Sequence, residues 1–314
     1  MNKSLKLLRG SRERSSHIRA VVTDMDGSFL NENGEVSPGN EAAVRRLQEA
    51  GIRFMVCTGR SLREAEVPLK AAGISCDMIA MNGAAVYGAG GILKKQYLLS
   101  MDKIREALEA VKEVREQLII QMVTDQGEFI LADEAIFRHF FLTRIFPSRD
   151  EVRTGEEEER LLAPFIRITA EEFFRKQVQC YKMVTLSEDT GLIRQIESKL
   201  KAVDGVCVAA SFPTNWEITH EHASKGKGLA DYAEALGYSL EQVMAVGDGD
   251  NDISMIGLPL GWSVAMGNGG EMLKQAADVV TLSNKEDGFA AAVDALLQGQ
   301  GGKGEGYETS EGLV

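Results

Sequence analysis

The sequence predicts an α/β protein: a parallel-sheet core interrupted by an inserted α+β domain. Three observations predict it. Short β-branched runs alternate with helical spacing near the start of the chain, as in Val21-Val22-Thr23 and Ile52–Cys57. The texture changes near Ser100 and returns after Ala210. The strand-like runs of the first texture stop at polar residues, and in open α/β sheets ligands sit beyond the carboxyl ends of the strands.

Taken in order, Val21-Val22-Thr23 reads as a buried strand that ends in Asp24-Met25-Asp26-Gly27-Ser28. Asn31-Glu32-Asn33-Gly34 is turn chemistry. Ser37-Pro38 opens a helix, Ser37 as N-cap and Pro38 at the first helical position, and Gly51 stops it. Ile52–Cys57 is the second strand, followed by Thr58-Gly59-Arg60. Strand, helix and strand make a βαβ unit, which implies parallel pairing. A helix from about Ser61 to Ala72 leads to strand Met78–Ala80, to Asn82-Gly83-Ala84 and to a hairpin.

Residues 100–210 read as the inserted domain with an antiparallel sheet. Met101–Gln117 has the spacing of one long amphipathic helix, and Leu118–Val123 and Glu128–Leu131 alternate like paired strands. The stretch from His139 to about Arg160 reads as irregular and charged, with Glu156–Glu159 as a solvated acidic run. Gln179–Leu186 is a strand, Gly191–Lys201 a helix and Val206–Ala210 a strand. The core is expected over 18–99 and 211–297. There Trp216–Thr219 is a strand, Lys225 opens a helix, and Val243–Val246 is a strand ending in Gly247-Asp248-Gly249-Asp250-Asn251-Asp252. Residues 1–17 read as a flexible basic extension, and 298–314 as a Gly-, Glu- and Ser-rich disordered tail.

Composition narrows the function. A chain of 314 residues with 44% hydrophobic and 26% charged residues is ordinary for a globular protein of two domains. The net charge of −12 argues against nucleic acid as a partner. No apolar run reaches the roughly 18 residues that a membrane helix needs. The four cysteines show no CxxC or CxxH spacing, which fits a reducing cytoplasm.

Two carboxylates at Asp24 and Asp26 repel each other unless a cation or a proton lies between them. A hard ion such as Mg²⁺ suits such oxygens, and Asp248 can add another. Thr58, the Gly59 N–H, Lys225 and Asn251 are donors suited to phosphate oxygens. Taken singly, Thr58 reads as a helix N-cap, Lys225 as a solvated helix start and Gly247–Asp250 as a turn. The calcium-loop pattern fails after Asp248, because loop position six is not Gly and position twelve is not Glu. Together the residues point to a phosphate held beside a divalent cation.

In these motifs the chain resembles the haloacid dehalogenase superfamily, and within it the Cof-type phosphatases with a type-IIB cap. The matching stretches are Asp24–Ser28, Thr58–Arg60, Asn82–Ala84, Ser224–Leu229, Gly247–Met255 and Ala265–Gly269. The resemblance covers about residues 18–297 and implies a Rossmann-like core with an inserted cap that selects the substrate. Ser28 stands where the family usually has Thr, and Phe29 where Leu is common; neither change removes a functional group.

The resemblance implies a Mg²⁺-dependent phosphatase acting on a small phosphorylated metabolite. Asp24 would be the nucleophile and Asp26 the acid and base. Met25 would contribute backbone to the phosphate cradle, with Thr58, Gly59, Lys225 and Asn251 as further phosphate ligands. The metal would be held by Asp24, the Asp26 carbonyl and Asp248, while Asp252 would orient Lys225. Two alternatives are a phosphomutase or sucrose-phosphate-type phosphatase on the same fold, and a catalytically silent sugar-phosphate-binding regulatory protein. Cap polar residues such as Arg138, His139, Arg144 and Lys182 carry no shared role, and Lys182 reads as a solvated strand position. His220 and His222 read as loop residues outside the metal set.

Overall fold

The computed structural model describes residues 17–146 and 153–300. Nearly all of the expected basic extension, and the expected tail from residue 301 on, lie outside the described residues. Residues 298–300 belong to the last helix, Gly288–Gln300, and not to a tail. The strands in chain order are β1 (Ala20–Thr23), β2 (Arg53–Cys57), β3 (Asp77–Ala80), β4 (Ala85–Gly88), β5 (Ile92–Gln96), β6 (Ile119–Thr124) and β7 (Gly127–Leu131). They continue as β8 (Phe165–Arg167), β9 (Cys180–Leu186), β10 (Val206–Ala209), β11 (Asn215–His220), β12 (Val243–Gly247), β13 (Trp262–Ala265) and β14 (Val279–Val280). The described chain divides into two compact units, one of 17–56, 66–76 and 230–300, the other of 57–65, 77–146 and 153–229.

The first unit contains parallel strands in the order β14-β13-β12-β1-β2. Its central strands are short and buried at every position, the pattern of a sheet covered on both faces. The helix Pro38–Glu49 starts where the sequence predicts, with the Ser37 side chain accepting the Asn40 N–H at 3.1 Å. Phe29, Phe54 and Phe289 pack as a ring trio with centroids 5.1 to 5.7 Å apart. This apolar base leaves the carboxyl ends of β1 and β12 side by side. Thr23 pairs with Val246, and the Asp24 N–H donates to the Val246 carbonyl at 2.9 Å.

The second unit contains the β3-β4-β5 meander and a six-stranded sheet in the order β10-β11-β9-β6-β7-β8, antiparallel except for β7 and β8. This sheet reaches past the boundary expected at Ala210. β11, assigned to the core by its sequence texture, pairs instead with β9 and β10. The turn before β11 fixes this hairpin, because Asn215 Oδ1 accepts the N–H groups of Ser211 and Phe212 at 3.1 and 3.0 Å.

Two helix expectations also change. The predicted helix Met101–Gln117 ends at Ala110, and a short 3₁₀ turn, Arg115–Gln117, carries the chain to β6. Buried Leu118 and Ile119 pull this end into the sheet. The stretch read as irregular holds the end of helix Glu134–Phe140, one wide turn at Phe141–Ile145 and helix Gly155–Leu162. Thr154 and Glu157 form a capping box on the last of these, so Glu156, Glu157 and Glu158 of the acidic run lie in its first turn.

The period of two along the strands sorts this sheet's faces. Ile120, Met122, Phe129 and Met183 join one apolar cluster, whereas Ile119, Ile130, Val184 and Leu186 join a second with Phe137, Phe140, Phe141 and Leu162. By register, Gln121, Glu128, Lys182 and Glu217 lie on the same face as the second cluster. That face is therefore apolar at one end and polar at the other.

Candidate active site

In the first unit, β1 runs into one wide turn, Met25–Phe29, closed by the Leu30 N–H donating to the Met25 carbonyl at 2.8 Å. Gly27 makes the turn possible. Its φ is +78°, and a Cβ there would lie 2.2 Å from Asp248 Oδ2. Asp24 is buried and Asp26 is partly exposed. Asp248 and Asn251 are partly exposed, while Asp252 is fully buried.

Asp24, Asp248 and Asp252 each place a carboxylate oxygen within 4.8 Å of the other two. Hard oxygens at that spacing fit a small divalent cation. The group is braced from outside. Ser28 Oγ donates to Asp248 Oδ1 at 2.8 Å. Asp252 Oδ2 accepts the N–H groups of Asp248 and Gly249, both at 2.9 Å, which marks it as a support of the loop. Asn268 Nδ2 donates to the Gly27 carbonyl at 2.8 Å and so ties the turn to the loop after β13.

In the second unit, Thr58 is fully buried just past the end of β2. Its N–H donates to the Ile79 carbonyl at 2.8 Å, and its carbonyl accepts the Asn82 N–H at 3.0 Å. The Arg60 N–H donates to Thr58 Oγ1 at 3.1 Å. Thr58 is thus held by backbone on both sides and is not the N-cap it resembles when read alone: the following helix, Leu62–Ala71, is capped by Ser61, whose Oγ accepts the Glu64 N–H at 3.4 Å. Lys225, nearly fully buried, is not the solvated helix start that it resembles when read alone. Its carbonyl lies 3.8 Å from Cys57 Sγ, beside the residue that precedes Thr58. Gly83, at φ +93°, lets the chain pass so close that a Cβ would sit 2.3 Å from the Ser224 carbonyl. The structure therefore brings Thr58, Gly59, Asn82, Gly83 and the start of helix Lys225–Ala235 together within this unit.

Lys182 is buried and is not the solvated position its strand suggests. Its Nζ donates to the Gly59 carbonyl at 2.7 Å and to Glu217 Oε1 at 3.0 Å. Asn82 Nδ2 donates to the other Glu217 oxygen. On the same face, burial raises the Glu128 carboxyl above its usual range and the charge of Glu64 adds to this, against the hydrogen bond from Gln121 and the charge of Lys182. Arg138 instead pairs with Glu158 and Glu159, and His139 and Arg144 face Glu188. His220 ends β11, and its ring stacks on Tyr97 with centroids 5.6 Å apart.

Sequence reasoning missed the partners of Ser28, Lys182 and Glu217. For Ser28 a signal existed, since a hydroxyl directly after Asp-x-Asp-Gly can reach a carboxylate. For Lys182 and Glu217 the signal was weak: a charged residue in the middle of an otherwise apolar strand.

Residues 21–293 match a profile of the haloacid dehalogenase-like hydrolases. The 5-amino-6-(5-phospho-D-ribitylamino)uracil phosphatase YwtE of Bacillus subtilis is 26% identical over 90% of this chain and 99% of its own. The enzyme of the same description, YcsE, also of Bacillus subtilis, is 28% identical over 88% of this chain and 94% of its own. The solved structure of a haloacid dehalogenase-like hydrolase from B. subtilis superimposes with a TM-score of 0.76 at 27% identity, covering 88% of this chain and 99% of that one.

Proposed function

The chain belongs to the haloacid dehalogenase-like hydrolases and is a phosphatase of that family; from this premise we propose that it is a cytoplasmic, Mg²⁺-dependent enzyme that hydrolyses small phosphorylated metabolites through an aspartyl-phosphate on Asp24. The observation that carries the reading is the carboxylate group of Asp24, Asp248 and Asp252 within 4.8 Å, built on the Asp24–Ser28 motif. The two bacterial relatives, named for a phosphorylated ribityl compound, support a phosphorylated sugar-like substrate.

In this reading a carboxylate oxygen of Asp24 attacks phosphorus, and the bond from phosphorus to the leaving oxygen breaks. Asp26 protonates that oxygen as it leaves. Asp26 then takes a proton from a water whose oxygen bonds to phosphorus, and the bond to Asp24 breaks to release inorganic phosphate. Thr58, the Gly59 N–H, Lys225, Asn251 and the Met25 backbone hold the phosphoryl oxygens. Asp24, the Asp26 carbonyl and Asp248 would hold the Mg²⁺. When bound, the ion supplies the positive charge that lets a carboxylate approach an anionic phosphate. Asp252 supports the set by fixing the backbone of Asp248 and Gly249.

The test is hydrolysis of p-nitrophenyl phosphate by the full chain. Activity is expected to vanish with a chelator, to return with Mg²⁺, and to fall at least about 10³-fold in Asp24→Asn. Hydrolysis that ignores the chelator, or an Asp24→Asn variant as active as the parent, contradicts the reading.

A further inference from the structure

We propose that Lys182 and Glu217 are positioning residues for the loop Thr58–Arg60, acting through one peptide unit on the hydroxyl of Thr58. The proposal rests on the reading of Thr58 as a phosphate ligand. The Gly59 carbonyl and the Arg60 N–H belong to the same rigid peptide plane. Lys182 Nζ holds one end of that plane, donating to the Gly59 carbonyl at 2.7 Å. The other end donates to Thr58 Oγ1 at 3.1 Å. Rotating the plane would break both bonds together. The Arg60 N–H fixes one acceptor side of the Thr58 oxygen, and among the described residues the hydroxyl proton donates to none. The strut from β9 therefore sets the direction in which Thr58 presents a donor.

Glu217 holds Lys182 in place. The two side chains are only 8% and 7% exposed, and their ion pair measures 3.0 Å. Asn82 donates to the second oxygen of Glu217, and the Asn82 N–H donates to the Thr58 carbonyl at 3.0 Å. The circuit Lys182–Glu217–Asn82–Thr58 thus grips the loop from a second side. It also leaves little room, since a Cβ at Gly59 would lie 3.2 Å from Asn82 Oδ1 and 3.4 Å from Glu217 Oε2. An apolar pair of the same size would fill the strand positions without the cost of desolvating two charges. What an apolar pair lacks is a donor that reaches the Gly59 carbonyl. A small displacement of a group that contacts the reacting phosphoryl lowers turnover steeply, by as much as about 10²-fold for 1 Å.

The experiment is a mutant cycle on p-nitrophenyl phosphate hydrolysis with Mg²⁺. It compares the parent, Thr58→Val, the paired change Lys182→Met with Glu217→Gln, and all three changes together. The paired change removes the donor without stranding a buried charge. Alone, Thr58→Val is expected to lower kcat/KM by about 10²-fold and the paired change by roughly 10-fold, with the loss in kcat. Combined, the loss is expected to stay near that of Thr58→Val, because the strut acts through the hydroxyl already removed. Lys182→Arg, which keeps charge and donors, is the second variant and should recover activity to within a few-fold of the parent. Losses that multiply in the combined variant overturn the proposal, because they show a structural role independent of Thr58. Parental kcat/KM in the paired variant overturns it while the Thr58 reading stands. Parental kcat/KM in Thr58→Val removes the reading itself.

Discussion

The two units gather ionisable groups in opposite ways. In the first, Asp24, Asp248 and Asp252 bring three carboxylates within 4.8 Å of one another. In the second, a lysine and a glutamate pair at 3.0 Å with almost no exposure. Like charges brought together store repulsion that a bound cation relieves, so the first group suits a ligand from outside. The buried pair satisfies itself, and its remaining bonds go to the chain, so it suits holding a loop. The same residue chemistry suits binding in one unit and rigidity in the other, and the sign of the neighbours decides which.

This contrast can be broken by substitution. Lys182→Met alone leaves Glu217 buried with its charge partner gone, and is expected to lower unfolding stability by about 3–5 kcal/mol in a urea titration. Adding Glu217→Gln should recover most of that loss. If the single and paired variants are equally stable, the pair is not self-contained. A smaller effect is expected on the acidic side. Ser28→Ala removes the hydrogen bond to Asp248 Oδ1, a brace behind a carboxylate rather than the carboxylate itself. It should raise the Mg²⁺ concentration for half-maximal activity by roughly 10-fold with little change in stability. An unchanged Mg²⁺ requirement would show that Ser28 does not tune the acidic group.

The parallel core and the inserted antiparallel sheet were legible because their signals are local. The βαβ order, the Ser37-Pro38 helix start and the apolar strands that end in Asp24 and Asp248 are read within a few residues. The capping box of Thr154 and Glu157 was equally local and marks a helix inside the stretch read as irregular. The pairing of β11 was not legible, because the apolar character of Trp216–Thr219 suits either sheet and only its register with β9 decides. The role of Lys182 was hidden for a related reason. Its partner carbonyl lies 123 residues away in sequence, and Asp248 lies 220 from Ser28. Strand periodicity tells which face a side chain takes, not which loop lies against that face.

The most direct test of the central claim is a rapid acid quench of the enzyme during turnover of p-nitrophenyl [³²P]phosphate with Mg²⁺. The account predicts protein-bound label in the peptide that contains Asp24, formed before steady state and absent in Asp24→Asn. Product formation with no labelled protein, or with label on another residue, would contradict it.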